Sequence, residues 1–293
     1  TVRSRDGVVV TGASLRLGPG EAFTLLGESG SGKSLLLQAI MGALPSSLMA
    51  GGAVTIHGAE TRAADADARR PLWGRVLSMT PQEPWLALDP TMRIGTQVRE
   101  VFTQVVRQEA AAADRSHDAA LASVNLVEAG RKYPFQVSGG MAQRAVFAAT
   151  RAGGATLHLV DEPTKGLDSA LRADITAMLR ATLAGGGALL TVTHDVAVAR
   201  ALGGQIGVML DGEIVEIGAA DAVLTQPQHA YTRRLLAAEP AGWAPFAAPP
   251  VGAPIVEGHQ LTKRFGRQDV FRDLDLSVGE GERVAIVGPS GSG

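Results

Sequence analysis

The apolar residues of this chain fall into short runs that alternate with longer amphipathic stretches. Apolar runs typical of strands occupy Val8–Val10, Ser14–Leu17, Ala22–Leu26, Val54–His57, Val76–Met79, Thr156–Val160 and Ala188–Thr193. Amphipathic stretches predict helices over Ser34–Met41, Ile94–Gln108, His117–Ala129, Met141–Arg151 and Ser169–Leu183. This alternation predicts an α/β fold with a mainly parallel sheet covered on both faces, and the turn Gly18–Gly20 predicts an antiparallel hairpin near the start.

The last 30 residues repeat the beginning of the chain. Arg264–Gly293 aligns without a gap on Arg3–Gly32, with eleven identical positions. A chance match of two strand–turn–strand segments is the alternative, but both copies end in the same glycine-rich loop. We therefore expect a first module over residues 1–240 with a helical part at about 83–150, a Pro/Ala-rich linker over 241–253, and the start of a second module over 254–293. On this interpretation the chain is a fragment of a tandem protein.

Composition narrows the classes of function. The 27 Lys and Arg residues against 29 Asp and Glu residues leave a formal charge of −2, which argues against a protein that coats nucleic acid. Cysteine is absent from the sequence, so disulfides, thiolate metal sites and cysteine nucleophiles are excluded. The charge-free stretch Ser34–Ala59 is interrupted by Pro45 and Gly51, well short of the ~20 apolar residues that a membrane span needs.

A glycine-rich loop between the strand Ala22–Leu26 and the first long helix carries the first chemical signal. It fits the pattern G-x-x-x-x-G-K-[ST] with Gly27, Glu28, Ser29, Gly30, Ser31, Gly32, Lys33 and Ser34. Such a loop directs backbone N–H groups and the positive end of a helix toward phosphate oxygens. We expect Lys33 to bridge the β- and γ-phosphates of ATP and the Ser34 hydroxyl to bind Mg²⁺.

Two acidic residues follow the apolar strand Thr156–Val160. Asp161 is predicted to hold Mg²⁺, and Glu162 is predicted to be the general base that orients the attacking water. For an isolated Asp-Glu pair, a solvated strand end is the more common explanation. The sequence Pro163–Asp168 (P-T-K-G-L-D) that follows favours the catalytic interpretation.

The order of the motifs resembles the ATP-binding subunit of an ABC transporter. The motifs that carry this resemblance are the glycine-rich loop, Thr80–Pro84, Val137–Arg144 (V-S-G-G-M-A-Q-R), Asp161–Asp168 and Thr191–Asp195. The resemblance implies a P-loop ATPase core, an N-terminal antiparallel β subdomain and a helical signature subdomain. It also implies that Gln82 senses Mg²⁺ and the γ-phosphate, and that His194 contacts the γ-phosphate during hydrolysis.

The same resemblance implies a site shared between two modules. Its signature residues, which would bind ATP held by the opposite module, are Ser138, Gly139, Gly140, Met141 and Gln143. Asp168 would lie at the seam between the modules.

Two positions and one loop depart from the family pattern. Met141 replaces a glutamine, and Ser4 stands where an aromatic residue usually stacks on adenine, a place that Phe265 holds in the second copy. The second glycine-rich loop, Gly288–Gly293, lacks its Lys and Ser/Thr, so we expect it not to bind nucleotide in this chain.

The segment Gln226–Pro240 is similar to the one that follows the ATPase core in importers of oligopeptides, dipeptides and nickel, although an ordinary amphipathic helix is the alternative. The resemblance implies a peripheral ATPase on the cytoplasmic side of a membrane that powers import of peptides, nickel or a metal-chelate. Its partners would be permease subunits contacted through Gln82–Gln97, a second ATP-binding module and, indirectly, an extracytoplasmic solute-binding protein, but not nucleic acid. The alternatives are a non-transport ABC ATPase that acts on ribosomes or DNA, and a catalytically silent chain.

Overall fold

The computed structural model describes residues 1–239, 243 and 250–288. Its strands are β1 (Val2–Arg3), β2 (Val8–Val10), β3 (Ala22–Leu26), β4 (Met49–Ala50), β5 (Ala53–Ile56), β6 (Ala59–Arg62), β7 (Leu77–Thr80), β8 (Leu157–Asp161), β9 (Ala188–Thr193), β10 (Gln205–Leu210), β11 (Glu213–Ala219), β12 (Pro254–Phe265) and β13 (Gln268–Gly279). Its α-helices are α1 (Lys33–Met41), α2 (Ile94–Glu100), α3 (Ala110–Ser123), α4 (Gly139–Ala152), α5 (Ser169–Ala184), α6 (Val196–Leu202), α7 (Ala220–Thr225) and α8 (Ala230–Ala237).

A six-stranded sheet in the order β11-β10-β3-β9-β8-β7 forms the centre of the fold. All neighbouring pairs in it are parallel except β10 and β11. Side chains alternate between its two faces: Leu159 and Leu190 join the core under α1, whereas Val160 and Leu189 join the core under α4 and α5. Because helices cover both faces, β3 and β9 are buried along their whole length. The predicted α/β fold with a mainly parallel sheet is confirmed.

Small antiparallel sheets flank the central one near the N-terminus. One has the order β2-β1-β4, and the other is the hairpin β5-β6, displaced by one residue from the predicted strand Val54–His57. The fully buried Arg69 ties this hairpin to α1, because its guanidinium donates to the carbonyls of Ala63 at 2.7 Å and Ala39 at 3.3 Å. Hydrogen bonds to carbonyl oxygens supply much of what this buried cation loses in hydration.

The predicted strand Ser14–Leu17 is wrong, and so is the hairpin at Gly18–Gly20. Residues 13–18 form no strand, and β3 pairs with β9 and β10 instead. In the second copy the equivalent strand, β13, pairs with β12 over 12 residues, whereas in the first copy this pairing is limited to β1 and β2. Residues 12–18 therefore line one wall of a groove of about 880 Å³ opposite α1 and β5.

The region between β7 and β8 is helical, but its boundaries differ from those predicted. The predicted helix Ile94–Gln108 is α2 followed by a π-helical turn over Val101–Val105. The predicted helix His117–Ala129 is instead α3, which begins earlier in a run of alanines and ends at Ser123. Asn125, with a φ of 54°, has the left-handed backbone that commonly ends a helix.

Beyond α8, the chain forms the antiparallel hairpin β12-β13 at the start of the second copy. Its apolar side chains, including Ile255, Val256 and Phe265, are exposed. Most of the predicted linker and the second glycine-rich loop from Pro289 onward lie outside the described residues. Within the described part of the chain, each helix is too short or too polar to cross a membrane.

Candidate functional site

The candidate residues come together because parallel strands end at the same edge of the sheet. The loop 27–34 follows β3, Asp161 ends β8, and His194 follows β9, while β9 lies between β3 and β8. Apolar burial of the strands thus fixes where their polar ends lie, and the carboxyl ends of parallel strands are where ligands usually bind in such sheets.

Glycine is required in the loop by close backbone approach. A Cβ atom on Gly27 would lie 2.3 Å from the carbonyl oxygen of Met209, at the end of the neighbouring strand β10. Gly32 has a φ of 96°, and a Cβ atom there would lie 2.8 Å from Val10 Cγ2. The loop is therefore packed tightly between β10 and β2 before α1 begins at Lys33.

Lys33 folds back over the loop that precedes it. Its Nζ donates to the carbonyl oxygens of Gly27 and Glu28, both at 2.8 Å, and to Ser31 Oγ at 3.2 Å. Burial lowers the pKa of Lys33, and the nearby Glu162, Asp161 and Glu28 oppose that shift. The ammonium group thus lies in an anionic, largely desolvated recess where it gains from any further negative ligand.

Ser34 and Asp161 form a pair of oxygen ligands suited to a small divalent cation. The Ser34 hydroxyl donates to Asp161 Oδ1 at 2.9 Å. Burial raises the pKa of Asp161, an effect that the hydrogen bond from Ser34 partly offsets. Within the described part of the chain no group of three His, Cys, Asp or Glu residues is arranged to hold a metal. This oxygen pair fits Mg²⁺, which commonly binds one or two carboxylates together with substrate phosphates and water.

Glu162 lies beside Asp161 in a buried and unusually constrained position. Its backbone has a φ of 44°, in the left-handed region that non-glycine residues rarely adopt. Thr193 Oγ1 donates to its carboxylate at 3.1 Å, and His194 Nδ1 lies 3.0 Å from Oε1 and 2.9 Å from Oε2. A carboxylate can only accept, so His194 is the donor in this contact. The first residue after β8, Glu162, and the first residue after β9, His194, are therefore joined by a direct hydrogen bond.

The remaining predicted residues lie on other elements. Gln82 is half-buried two residues beyond β7, and Asp168 caps α5 by accepting a hydrogen bond from the N–H of Leu171 at 2.9 Å. The signature residues open α4, with Ser138 as its N-cap. Ser138 and Gly139 are exposed, and none of the hydrogen bonds within the described ranges joins them to the loop 27–34.

Two contacts at the site were not predicted from the sequence. Thr193 holds the Glu162 carboxylate, and the Tyr231 hydroxyl accepts a hydrogen bond from the N–H of Glu28 at 3.2 Å. Thr193 directly precedes the predicted site residue His194, so the motif that contains both could have identified it. Tyr231 is 203 residues from Glu28, and local periodicity cannot pair residues at that distance.

Comparison with known proteins agrees with this geometry. A sequence profile described as ABC transporter matches residues 10–165. The dipeptide transport ATP-binding protein DppD of Bacillus subtilis is 33% identical over 79% of this chain and 71% of its own length. The peptidoglycan transport ATP-binding protein YejF of Agrobacterium fabrum is 33% identical over 98% of this chain but only 55% of its own length. The chain thus spans little more than half of that longer relative.

A solved structure gives the same result for the fold. The ATP-binding cassette MJ0796, described as a dimer in a post-hydrolysis state bound to ADP and phosphate, superposes with a TM-score of 0.64 at 27% identity. The superposition covers 72% of this chain and 90% of the cassette.

Proposed function

Because the chain belongs to the ABC transporter family of ATP-binding proteins, we propose that it binds and hydrolyses ATP to energise an importer. The observation that carries this proposal is the convergence of Lys33, the Ser34–Asp161 pair and the Glu162–His194 pair at one edge of the sheet. A cationic cradle, an oxygen pair for a metal and a carboxylate base are the three parts that phosphoryl transfer to water needs.

The loop Gly27–Ser34 would hold the phosphates of ATP. Its backbone N–H groups and the start of α1 supply donors and a positive dipole, and Lys33 supplies a charge that bridges the β- and γ-phosphates. Ser34, Asp161 and Gln82 would hold Mg²⁺, which when bound neutralises negative charge on the phosphates.

Glu162 would act as the general base. Its carboxylate, buried and held by Thr193 and His194, is positioned to orient a water molecule and accept its proton as that water attacks the γ-phosphate. His194, whose side chain is about half exposed at 54%, is free to contact the phosphate while it holds Glu162.

The signature residues would act on a second module. Ser138 and Gly139 would present the exposed start of α4, a helix of 14 residues, to a partner across the surface, with buried Gly140 directly behind them. Half-buried Met141 would continue that contact, buried Gln143 would support it from within α4, and Asp168 would lie at the seam. The partner module would be a second copy or the remainder of a tandem protein.

We infer that the cargo is a peptide. The two relatives described above are named as transporters of dipeptides and of peptidoglycan, which contains peptide chains, and this shared chemistry supports the proposal. The full-length protein would then lie on the cytoplasmic face of a membrane against permease subunits, with a solute-binding protein delivering peptide on the other side.

Binding of ATP tests the first part of the proposal. Lys33→Ala removes the buried ammonium and should weaken ATP binding at least about tenfold, since hydrogen bonds to charged groups contribute that much or more. Lys132→Ala, at an exposed lysine outside the site, is the matched control and should bind ATP like the wild-type protein. Equal affinity of Lys33→Ala and wild-type protein in calorimetric titrations would contradict the proposal.

Transport tests the second part. In vesicles that contain the full-length protein and its permease, uptake of a labelled tripeptide should require ATP and stop with Glu162→Gln. Uptake of Ni²⁺ in place of the peptide would overturn the assignment of cargo and leave the ATPase assignment standing.

A further inference from the structure

The peptide group between Gly27 and Glu28 is held from both sides. Its carbonyl accepts a hydrogen bond from Lys33 Nζ at 2.8 Å, and its N–H donates to the Tyr231 hydroxyl at 3.2 Å. A trans peptide directs these two groups in opposite directions, so the lysine and the tyrosine clamp one rigid plane. This plane is the first in the loop after the buried strand β3, and its orientation sets the direction of the peptides that follow.

Tyr231 reaches the loop from a firmly anchored position. Its side chain is 4% exposed and packs in a core cluster with Leu26, the last residue of β3, and Val208 of β10. Desolvation raises the pKa of its hydroxyl, so it stays protonated and neutral over the physiological range.

The start of α8 is fastened to the central sheet by one carboxylate. Glu216 of β11 accepts hydrogen bonds from the N–H of Gln228 at 2.8 Å, the N–H of His229 at 3.0 Å and the hydroxyl of Thr232. Because β11 pairs with β10 and β10 pairs with β3, the helix and the loop are attached to the same rigid sheet.

We propose that Tyr231 is a positioning residue that holds the phosphate loop through the N–H of Glu28. The proposal rests on the proposed function, because it assigns Lys33 to the phosphates of ATP. When the ammonium turns to those phosphates, the Gly27 carbonyl loses its donor, and the Tyr231 hydroxyl becomes the contact that keeps the peptide in place. The tyrosine therefore matters more to the nucleotide-bound loop than to the free loop, and its removal costs affinity for ATP.

The repeat in the sequence supplies an internal comparison. The second copy has Pro289 where the first has Glu28, and proline has no N–H to donate. The interaction is therefore specific to the first loop, and Glu28→Pro gives that loop the residue of the second copy while removing the donor.

ATP affinity in a double-mutant cycle tests the proposal, measured by calorimetry in a Glu162→Gln background that prevents turnover. Tyr231→Phe deletes only the hydroxyl and should weaken ATP binding about fivefold, the effect of one hydrogen bond. In Glu28→Pro protein the donor is already absent, so Tyr231→Phe should then have no further effect. Amide hydrogen exchange of the nucleotide-free loop should also be faster in Tyr231→Phe than in its parent.

Two controls separate positioning from simple loss of stability. Ile175→Val removes one buried methyl group from the core beneath α5, away from both α8 and the loop, so it should lower the melting temperature but leave the affinity for ATP unchanged. Tyr133→Phe makes the same chemical change at the other tyrosine of the chain and should also leave the affinity unchanged.

The possible outcomes are distinct. Unchanged affinity in Tyr231→Phe, an equal loss in the Glu28→Pro background, or an equal loss in Ile175→Val would overturn the positioning role. A parent protein that binds no ATP at all would instead overturn the proposed function, and with it this inference.

Discussion

Glu162 combines three properties that rarely occur together in one carboxylate. It is buried, its backbone is left-handed, and its side-chain oxygens accept from Thr193 and His194 on the neighbouring strand end. The two donors fix the plane of the carboxylate, so rotation of the side chain away from the site would break both contacts. A preorganised base of this kind needs little rearrangement when the reaction begins.

Replacing that carboxylate by an amide tests its chemistry with little change in shape. Glu162→Gln should reduce the rate of phosphate release at least about 100-fold, because a general base typically contributes that much, while ATP binding is retained. Glu60→Gln, on the exposed strand β6, makes the same change outside the site and should leave the rate unaltered. A Glu162→Gln protein that hydrolyses ATP at the wild-type rate would remove Glu162 from the mechanism.

At the scale of single residues, much of the site follows from the sequence. The loop Gly27–Ser34, the strand end at Asp161 and the position of His194 are local patterns, each set by an apolar strand and the few residues after it. The left-handed backbone of Glu162 and the contact of Tyr231 with Glu28 are not local. Both depend on which strands become neighbours, which no short window of sequence contains.

Among the elements, α8 depends most clearly on a single side chain. Burial alone would raise the pKa of Glu216, but hydrogen bonds from Gln228, Thr232 and His229 outweigh it and hold the pKa below its ordinary value. The ionised carboxylate is therefore preferred by the folded chain, and it stabilises the start of the helix.

The stability contributed by Glu216 should depend on pH. A lowered pKa means that the contribution is present above the pKa of the unfolded chain and is lost as the pH falls through the lower, folded-state pKa. Glu216→Gln should be less stable than wild type by about 1–3 kcal/mol at pH 7, with the difference shrinking below about pH 4. Denaturant unfolding at several pH values measures this difference, and a gap of constant size would show that ionisation of Glu216 is unimportant.

Element boundaries were predicted best where one strand or helix buries a continuous apolar run. The strands Ala22–Leu26 and Ala188–Thr193 match to the residue, because both lie in the middle of the sheet and are buried at every position. Ser14–Leu17 alternates polar and apolar residues as a strand does but has no neighbouring strand, and a strand without hydrogen-bonded partners is not stable in water. The sequence pattern reports burial, whereas strand formation also needs a partner that can be far away in the chain.

For the molecule as a whole, the most important feature for function is that the start of α4 lies apart from the loop 27–34. Its N-terminus is exposed, and the described hydrogen bonds leave it unconnected to the loop 27–34, so the proposed composite site needs two modules. Turnover should then depend on pairing, and two variants that are inactive for different reasons should rescue each other.

Mixing Lys33→Ala with Ser138→Arg tests this expectation. Each variant alone should be inactive, because every site in its dimer lacks either the lysine or the exposed helix start. Random pairing makes half of the dimers mixed, each with one complete site, so up to about a quarter of the wild-type rate should return. A mixture as inactive as its components would show that the site is not shared between modules.

The backbone at Glu162 also bears on how such modules change over evolutionary time. A left-handed conformation at a residue other than glycine costs about 1 kcal/mol, and this cost at Glu162 lowers the free energy of unfolding. A lineage that no longer hydrolyses ATP gains stability by replacing it with Gly or Asn, which tolerate this conformation better. In tandem proteins of this architecture, Gly or Asn at the position of Glu162 would therefore mark a module that has been released from catalysis and retained for pairing.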